Sequence, residues 1–298
     1  MTPIPSPKTK PAPRFRLRDI ATLLGLRAAY RIGSVVAPER TVAHAARLFQ
    51  TPLPSSRARA AAAPDVPDMR RETIAVNGES IATYVWGDPA TQPYALLVHG
   101  WSSFGLRFEK WAALLSAMGW AVVAFDQPAH GHSGGSLCTL PDFARTVREV
   151  GRHYGDAAAV IGHSLGGAAV TLALDDGWTA EKVVLIAPAA DPQAATRRFS
   201  RFVRLAERLR PALHKALSDR TQVPIEALHI ERHAPHRRQK VLIFHDAKDR
   251  DVPVAEGELY AKLWPGARLI RTDGLGHRKI VDDVDVVNVA MPFLFGTA

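Results

Sequence analysis

Six short apolar runs, separated by stretches of helical character, constrain this 298-residue chain more than any other feature. They are Tyr94 to His99, Ala121 to Phe125, Ala157 to Ile161, Val183 to Ala187, Val241 to His245 and Arg268 to Thr272. Runs of this kind read as strands. Continuous apolar runs need cover on both faces, which a parallel sheet with helices on each side supplies. Ahead of them, Thr73 to Val76 and Ile81 to Trp86 flank Asn77-Gly78, the strongest short hairpin signal a sequence carries. In such sheets ligands bind beyond the carboxyl ends of the strands, so chemistry is sought in the residues just after each run.

Gly162-His163-Ser164-Leu165-Gly166 follows the third run and precedes an Ala-rich helical stretch, Gly167 to Leu174. A strand that turns abruptly into a helix strains its central residue by roughly 1–3 kcal/mol and exposes it, and flanking glycines avoid a Cβ collision. Such a turn aims the N–H of Leu165 at a substrate carbonyl oxygen. Ser164 is therefore a candidate nucleophile with half an oxyanion hole beside it. After the first run, His99-Gly100-Trp101-Ser102-Ser103 lets the backbone turn at Gly100 and present the N–H of Trp101, a candidate for the other half. His99, Gly100 and His163 adjoin these groups and are candidate substrate contacts, with local packing as the alternative for His99. The turn Asp126 to Ser133 reads mainly as structure, with His130 and Ser133 as candidate substrate contacts. After Phe244 three carboxylates, Asp246, Asp249 and Asp251, stand where an acid could orient an imidazole. After Thr272 the glycines of Asp273-Gly274-Leu275-Gly276-His277 free His277 to reach across the strand ends as general base.

The order serine, acid, histidine is that of the α/β-hydrolases. From about Arg71 onward the chain resembles that superfamily, particularly its bacterial esterase-like and monoacylglycerol-lipase-like members. The resemblance is carried by His99-Gly100, by Asp126 to Ser133, with Ala129 in place of the glycine in D-x-P-G-H-G-x-S, and by Asp246 to Pro253. That last segment matches G-x-x-D-x-x-V-P except that Asp246 replaces the glycine. The match implies an α/β-hydrolase fold: a mostly parallel eight-stranded sheet with helices on both faces, and a helical cap at about residues 191–240. It puts the acid at Asp249, so Asp249→Asn is expected to lose most of the activity, which Asp246→Asn and Asp251→Asn keep. The implied reaction is hydrolysis of a carboxylic ester, lipid-like or small and aromatic, through an acyl-enzyme, with no cofactor and no metal. Thioesterase, amidase or peptidase, acyltransferase, C–C hydrolase and cofactor-free haloperoxidase chemistry use the same triad. A non-catalytic binding protein on this scaffold is the rival of another class.

The net charge of +9 is unevenly spread. Residues 1–71 hold 13 Lys/Arg against 4 Asp/Glu, and residues 191–240 hold 12 against 5. Basicity thus sits in an N-terminal portion, 1–70, and in the cap, whereas the rest of the body, 71–298, is mildly acidic. The first 13 residues contain five prolines and read as disordered; residues 15–50 read as two helices, the second opened by Pro38; Pro52 to Asp68 reads as a linker. The helical arm is expected either to pack on the body or to lie on a membrane surface with its arginines toward phosphates. No basic platform interleaved with aromatics suggests nucleic acid. His229, His233 and His236 suggest a metal cluster, but Pro235 breaks the helix that would align them. A lone cysteine, Cys138, and no apolar run of signal or membrane-span length make a soluble, cytoplasmic protein the expectation, with oligomeric state unread.

Overall fold

Strands β1 (Met69–Val76), β2 (Glu79–Trp86), β3 (Tyr94–Val98), β4 (Ala121–Phe125), β5 (Ala157–His163), β6 (Ala180–Ile186), β7 (Lys240–Asp246) and β8 (Arg268–Thr272) form one sheet in a computed structural model of the chain. Their order is β1-β2-β4-β3-β5-β6-β7-β8. β2 pairs antiparallel with β1 and β4, and β3 to β8 run parallel. The hairpin joining β1 to β2 turns at Asn77 (φ 51°) and Gly78 (φ 81°), both left-handed as the tight primed turn requires. The structure describes residues 17–64, 66–175 and 177–296; the proline-rich segment 1–13, expected to be disordered, lies outside them.

Eleven α-helices accompany the sheet among the described residues. Leu17–Val36 (α1), Pro38–Phe49 (α2) and Ser55–Ala61 (α3) precede it; Glu109–Ala117 (α4), Leu140–Tyr154 (α5) and Leu165–Ala173 (α6) link the central strands. Pro192–Val203 (α7) and Arg210–Thr221 (α8) lie between β6 and β7, and Val254–Leu263 (α9), Gly276–Lys279 (α10) and Val284–Phe295 (α11) follow. Each parallel strand divides its side chains between two cores. Leu96, Val123, Val160, Leu185 and Ile243 meet Phe143, Val170 and Tyr260 on one face. Leu97, Ala124, Ile161, Val184 and Phe244 meet Trp111, Leu115, Val287 and Leu294 on the other. This alternation at period two, with both sides buried, explains why the strands read as unbroken apolar runs.

A third, smaller core joins the arm to the cap. Tyr30, Ala45 and Ala46 of α1 and α2 pack on Val203, Leu205, Leu213 and Leu217. Polar ties reinforce it: Ser34 accepts from the Ala206 N–H at 3.1 Å, and Arg208 donates to the Ser34 carbonyl at 2.6 Å. The stretch expected to be a plain linker contains α3. Arg57 donates to the carbonyls of Gly131 and Gly135, and Arg59 to that of Ser102, anchoring α3 to loops distant in sequence.

Candidate active site

The chain reverses its direction of winding between β3 and β5, since β4 lies on one side of β3 and β5 on the other. The turns after these two strands therefore meet at the switch point, where open sheets form a crevice. Ser164 links β5 to α6 at φ 55° and ψ −122°, a conformation L-residues rarely hold without surrounding support. That support is visible. The Ser164 N–H donates to the Ile186 carbonyl at 2.9 Å, and its own carbonyl accepts from Gly167 and Ala189. A Cβ on Gly166 would lie 2.4 Å from the Val98 carbonyl oxygen, and one on Gly162 would lie 2.9 Å from the Gly167 Cα. Backbone-to-backbone closeness, rather than dihedral freedom, thus demands glycine on either side of the serine.

Ser164 Oγ lies 2.9 Å from His277 Nε2, and His277 Nδ1 lies 2.7 Å from Asp249 Oδ2. An ionised carboxylate only accepts, so Nδ1 carries the proton and Nε2 faces the serine hydroxyl as acceptor. The second oxygen of Asp249 accepts from the N–H groups of Asp251 (2.8 Å) and Val252 (2.9 Å). Burial works to raise the Asp249 carboxyl, but the imidazoles of His245 and His277 and the Val252 N–H outweigh it and hold the group well below the usual carboxylate range. The other two carboxylates stand elsewhere. Asp251 is exposed at the rim, 3.8 Å from Arg278. Asp246, fully buried, accepts from Lys248 N–H, Thr272 Oγ1 and Leu275 N–H, each at 2.9 Å, and so ties the end of β7 to the loop that carries His277.

Trp101 and Leu165, whose N–H groups are the expected oxyanion donors, border the same cavity as Ser164 and His277. As the first residue of α6, Leu165 has an N–H without a partner inside the helix. The turn at Trp101 is braced from beneath. Ser102, at φ 52°, donates its N–H to His130 Nε2 at 3.0 Å, while His130 Nδ1 donates to the Pro128 carbonyl.

His99, Gly100 and His163, expected as substrate contacts, do not line the cavity, and each is packed into the turns around it. His99 is buried, donating from Nδ1 to the Gly100 carbonyl and accepting the Gln127 N–H on Nε2. Gly100 is pressed against the serine turn, where an added Cβ would lie 2.9 Å from the Ser164 Cβ. His163 donates from Nε2 to the His277 carbonyl at 2.9 Å and packs its ring against the His277 imidazole at 4.7 Å. These contacts hold the His277 segment in place. His130 and Ser133 are likewise buried in the turn, Ser133 bridging the Asp126 carbonyl and the Ala82 N–H. The three cap histidines are dispersed: His233 lies between Asp175 and the Ala227 carbonyl, and His229 is 3.5 Å from Asp191.

The cavity above Ser164 measures about 640 Å³ and is walled mostly by apolar side chains. Its one side comes from the body and cap, including Leu172, Phe199 and Leu217; the other comes from the arm, including Leu26, Leu48, Phe49 and Leu53. Two arginines border it: Arg198 is matched by Glu256 at 2.6 Å, and Arg278 lies 3.8 Å from Asp251. The arm's share in this wall went unread in the sequence, since no local motif records which distant surface an amphipathic helix will meet.

A family model described as serine aminopeptidase, S33, matches residues 90–246, just over half of the chain. The monoglyceride lipase homolog of monkeypox virus is 30% identical over 122 residues, which are 37% of this chain and 44% of the viral one. The chain thus spans less than half the length of that relative. Among solved structures, an esterase from Exiguobacterium antarcticum is similar with a TM-score of 0.58 at 18% identity, over 76% of this chain and 100% of its own. A bacterial membrane phospholipase A is similar with a TM-score of 0.60 at 17% identity, over 94% of this chain and 99% of its own, a coverage that extends into the arm. Among the described residues no helix is long and apolar enough to cross a membrane. With the sheet order, the elbow after β5 and the family match all in agreement, the chain belongs to the serine aminopeptidase S33 family of α/β-hydrolases.

Proposed function

We propose that this hydrolase cleaves carboxylic esters of long, apolar acyl groups by way of an acyl-enzyme on Ser164. The observation that carries the reading is the hydrogen-bonded chain from Ser164 Oγ through His277 to Asp249, at the floor of an apolar cavity of about 640 Å³. That volume lies within the roughly 300–1,000 Å³ of ordinary ligand sites. The names of the similar proteins, a monoglyceride lipase homolog and an esterase, support it.

His277 Nε2 takes the proton of Ser164 Oγ as that oxygen attacks the ester carbonyl. The N–H groups of Trp101 and Leu165 receive the resulting oxyanion, each such donor contributing about 3–4 kcal/mol to the transition state. Asp249 keeps Nδ1 protonated and stabilises the imidazolium. That imidazolium returns its proton to the departing alkoxide, and water then resolves the acyl-enzyme by the same steps. Peptide-bond cleavage on the same triad is the second reading, favoured by the family description.

A fluorophosphonate probe is expected to label the wild type and not Ser164→Ala. Among p-nitrophenyl esters from acetate to palmitate, kcat/KM is expected to rise with chain length and to exceed that for aminoacyl p-nitroanilides. An unlabelled wild type, or equal turnover by Ser164→Ala, would sink the mechanism. Preference for the anilides would move the assignment to the peptidase reading.

A further inference from the structure

Among the described residues, one side of α1 packs on the molecule and the other carries exposed apolar side chains. Tyr30 and Ser34 are buried against α2 and the cap, and Leu26 borders the cavity. On the opposite side Ile20, Leu24, Ile32, Val35 and Val36 are 44, 59, 61, 71 and 73% exposed. Ala21, Gly25, Ala28 and Ala29, also exposed, fill the surface between them. A helix packed on a globular body ordinarily turns a polar face to water; this one turns an apolar face.

The charge of the helix that carries that face is net positive. From Leu17 to Val36 it holds Arg18, Arg27 and Arg31 against a single acid, Asp19, and the sequence ahead of it, residues 1–16, adds four Lys/Arg and no Asp/Glu. Beside α1, Arg27 donates to the Phe202 carbonyl at 2.8 Å and stacks over its ring at 5.3 Å, with the exposed Arg201 and Arg204 flanking Phe202 in sequence. Phe202 is itself half-exposed, yet it also lines the cavity. The apolar surface is therefore continuous with the chamber over Ser164.

We infer that the outer face of α1 is a docking surface for an anionic lipid bilayer, on which the helix lies in the interfacial plane with the cavity mouth beside it. Apolar side chains enter the acyl boundary while arginines meet lipid phosphates. About 30 Å of helix is enough to anchor the arm along the surface. The surface contact stands on the arm's own geometry, and only the passage of an acyl chain from bilayer to cavity rests on the ester-hydrolase reading.

The test uses the full chain and vesicles of phosphatidylcholine with or without phosphatidylglycerol. Wild type is expected to co-sediment with the anionic vesicles and to be released by added salt. The variant Leu24→Glu/Ile32→Glu/Val35→Glu is expected to lose at least tenfold in partitioning, while it retains its circular dichroism and its turnover of a short soluble p-nitrophenyl ester. As a check independent of the triple variant's folding, Val35→Cys is labelled with an environment-sensitive dye, Cys138 being buried. Its emission is expected to shift to the blue on anionic vesicles. Equal partitioning of wild type and variant, or unchanged dye emission, overturns the inference. So does a triple variant that turns a dimer into a monomer without weakening vesicle binding, since that assigns the face to a second copy. A vesicle-bound protein without esterase activity would leave this inference standing and remove the hydrolase reading, and an active but unbound protein would do the reverse.

Discussion

Asp246 ends β7 and Asp249 stands three residues further on, in the loop that follows, and their surroundings give them opposite tasks. Asp249 offers Oδ2 to the imidazole; Asp246 turns both oxygens to backbone and hydroxyl donors of the loop around it. Replacing Asp249 by asparagine removes the partner that fixes the His277 tautomer, so kcat is expected to fall about 10⁴-fold. Asp251→Asn is expected to stay within about twofold of wild type, since that side chain meets only an exposed arginine, where ion pairs contribute little. Asp246→Asn does not follow the expectation from the motif that activity survives intact. An amide nitrogen there confronts the N–H of Lys248 or Leu275, leaving a buried donor unpaired, at about 1–3 kcal/mol of stability. We expect a lowered melting temperature and a kcat reduced about tenfold with KM little changed, as the His277 loop loosens. Steady-state kinetics and thermal melts on the three variants check all of this. Ser164 and His277 were legible because their signals are local in sequence. The task of Asp246 was hidden, because its partners Thr272 and Leu275 lie on another segment.

At the scale of elements, the arm and the cap together build the pocket that the body leaves open. Phe49 at the end of α2 meets Phe199 of α7 edge to face, with ring centroids 5.2 Å apart, and both rings line the cavity. Enlarging one of them should shorten the chamber. Phe49→Trp is expected to move the preferred acyl chain toward shorter esters, with kcat/KM for the longest falling several-fold. Phe49→Ala should keep the long substrates and lose about 2–4 kcal/mol of stability as a cavity opens between arm and cap. A chain-length series with denaturant melts distinguishes the two, and an unchanged preference in both would detach the arm from substrate selection. The start of α2 was readable from Pro38, which sits at its first turn. Helix α3 was not, because the arginine contacts that hold it reach loops 43 to 78 residues away.

Across the whole molecule, loss of stability in mild acid is expected from imidazoles that fold neutral. Burial lowers His99 to about 4, His130 to about 3, and His163 well below its ordinary value. The hydrogen bonds agree for His99 and His130, each of which uses Nε2 as an acceptor of a backbone N–H and could not keep it if protonated. Below an unfolded-state pKa of about 6.5 the unfolded chain binds protons that the native one refuses. The stability from the neutral rings is therefore complete above about pH 6.5 and is lost as pH falls toward about 4 for His99 and about 3 for His130. The slope approaches about 1.4 kcal/mol per pH unit for each ring. Urea midpoints at pH 7.5 and 5 should differ accordingly, and His130→Gln should flatten the dependence by about one proton; a pH-independent midpoint would contradict this account. These histidines also mark the boundary between sequence and fold. By itself the sequence determined the strands, the hairpin and the elbow, and it singled out Ser164 and His277, which the fold brings to 2.9 Å of each other, since each of these signals follows from steric and periodic rules acting over a few residues. Only the tertiary structure decided that His99 and His163 brace the site, that Asp246 tethers the His277 loop, and that the arm walls the pocket and bares an apolar face. Those outcomes depend on which distant surfaces meet, and burial and hydrogen bonding between remote segments leave no periodic trace in the chain.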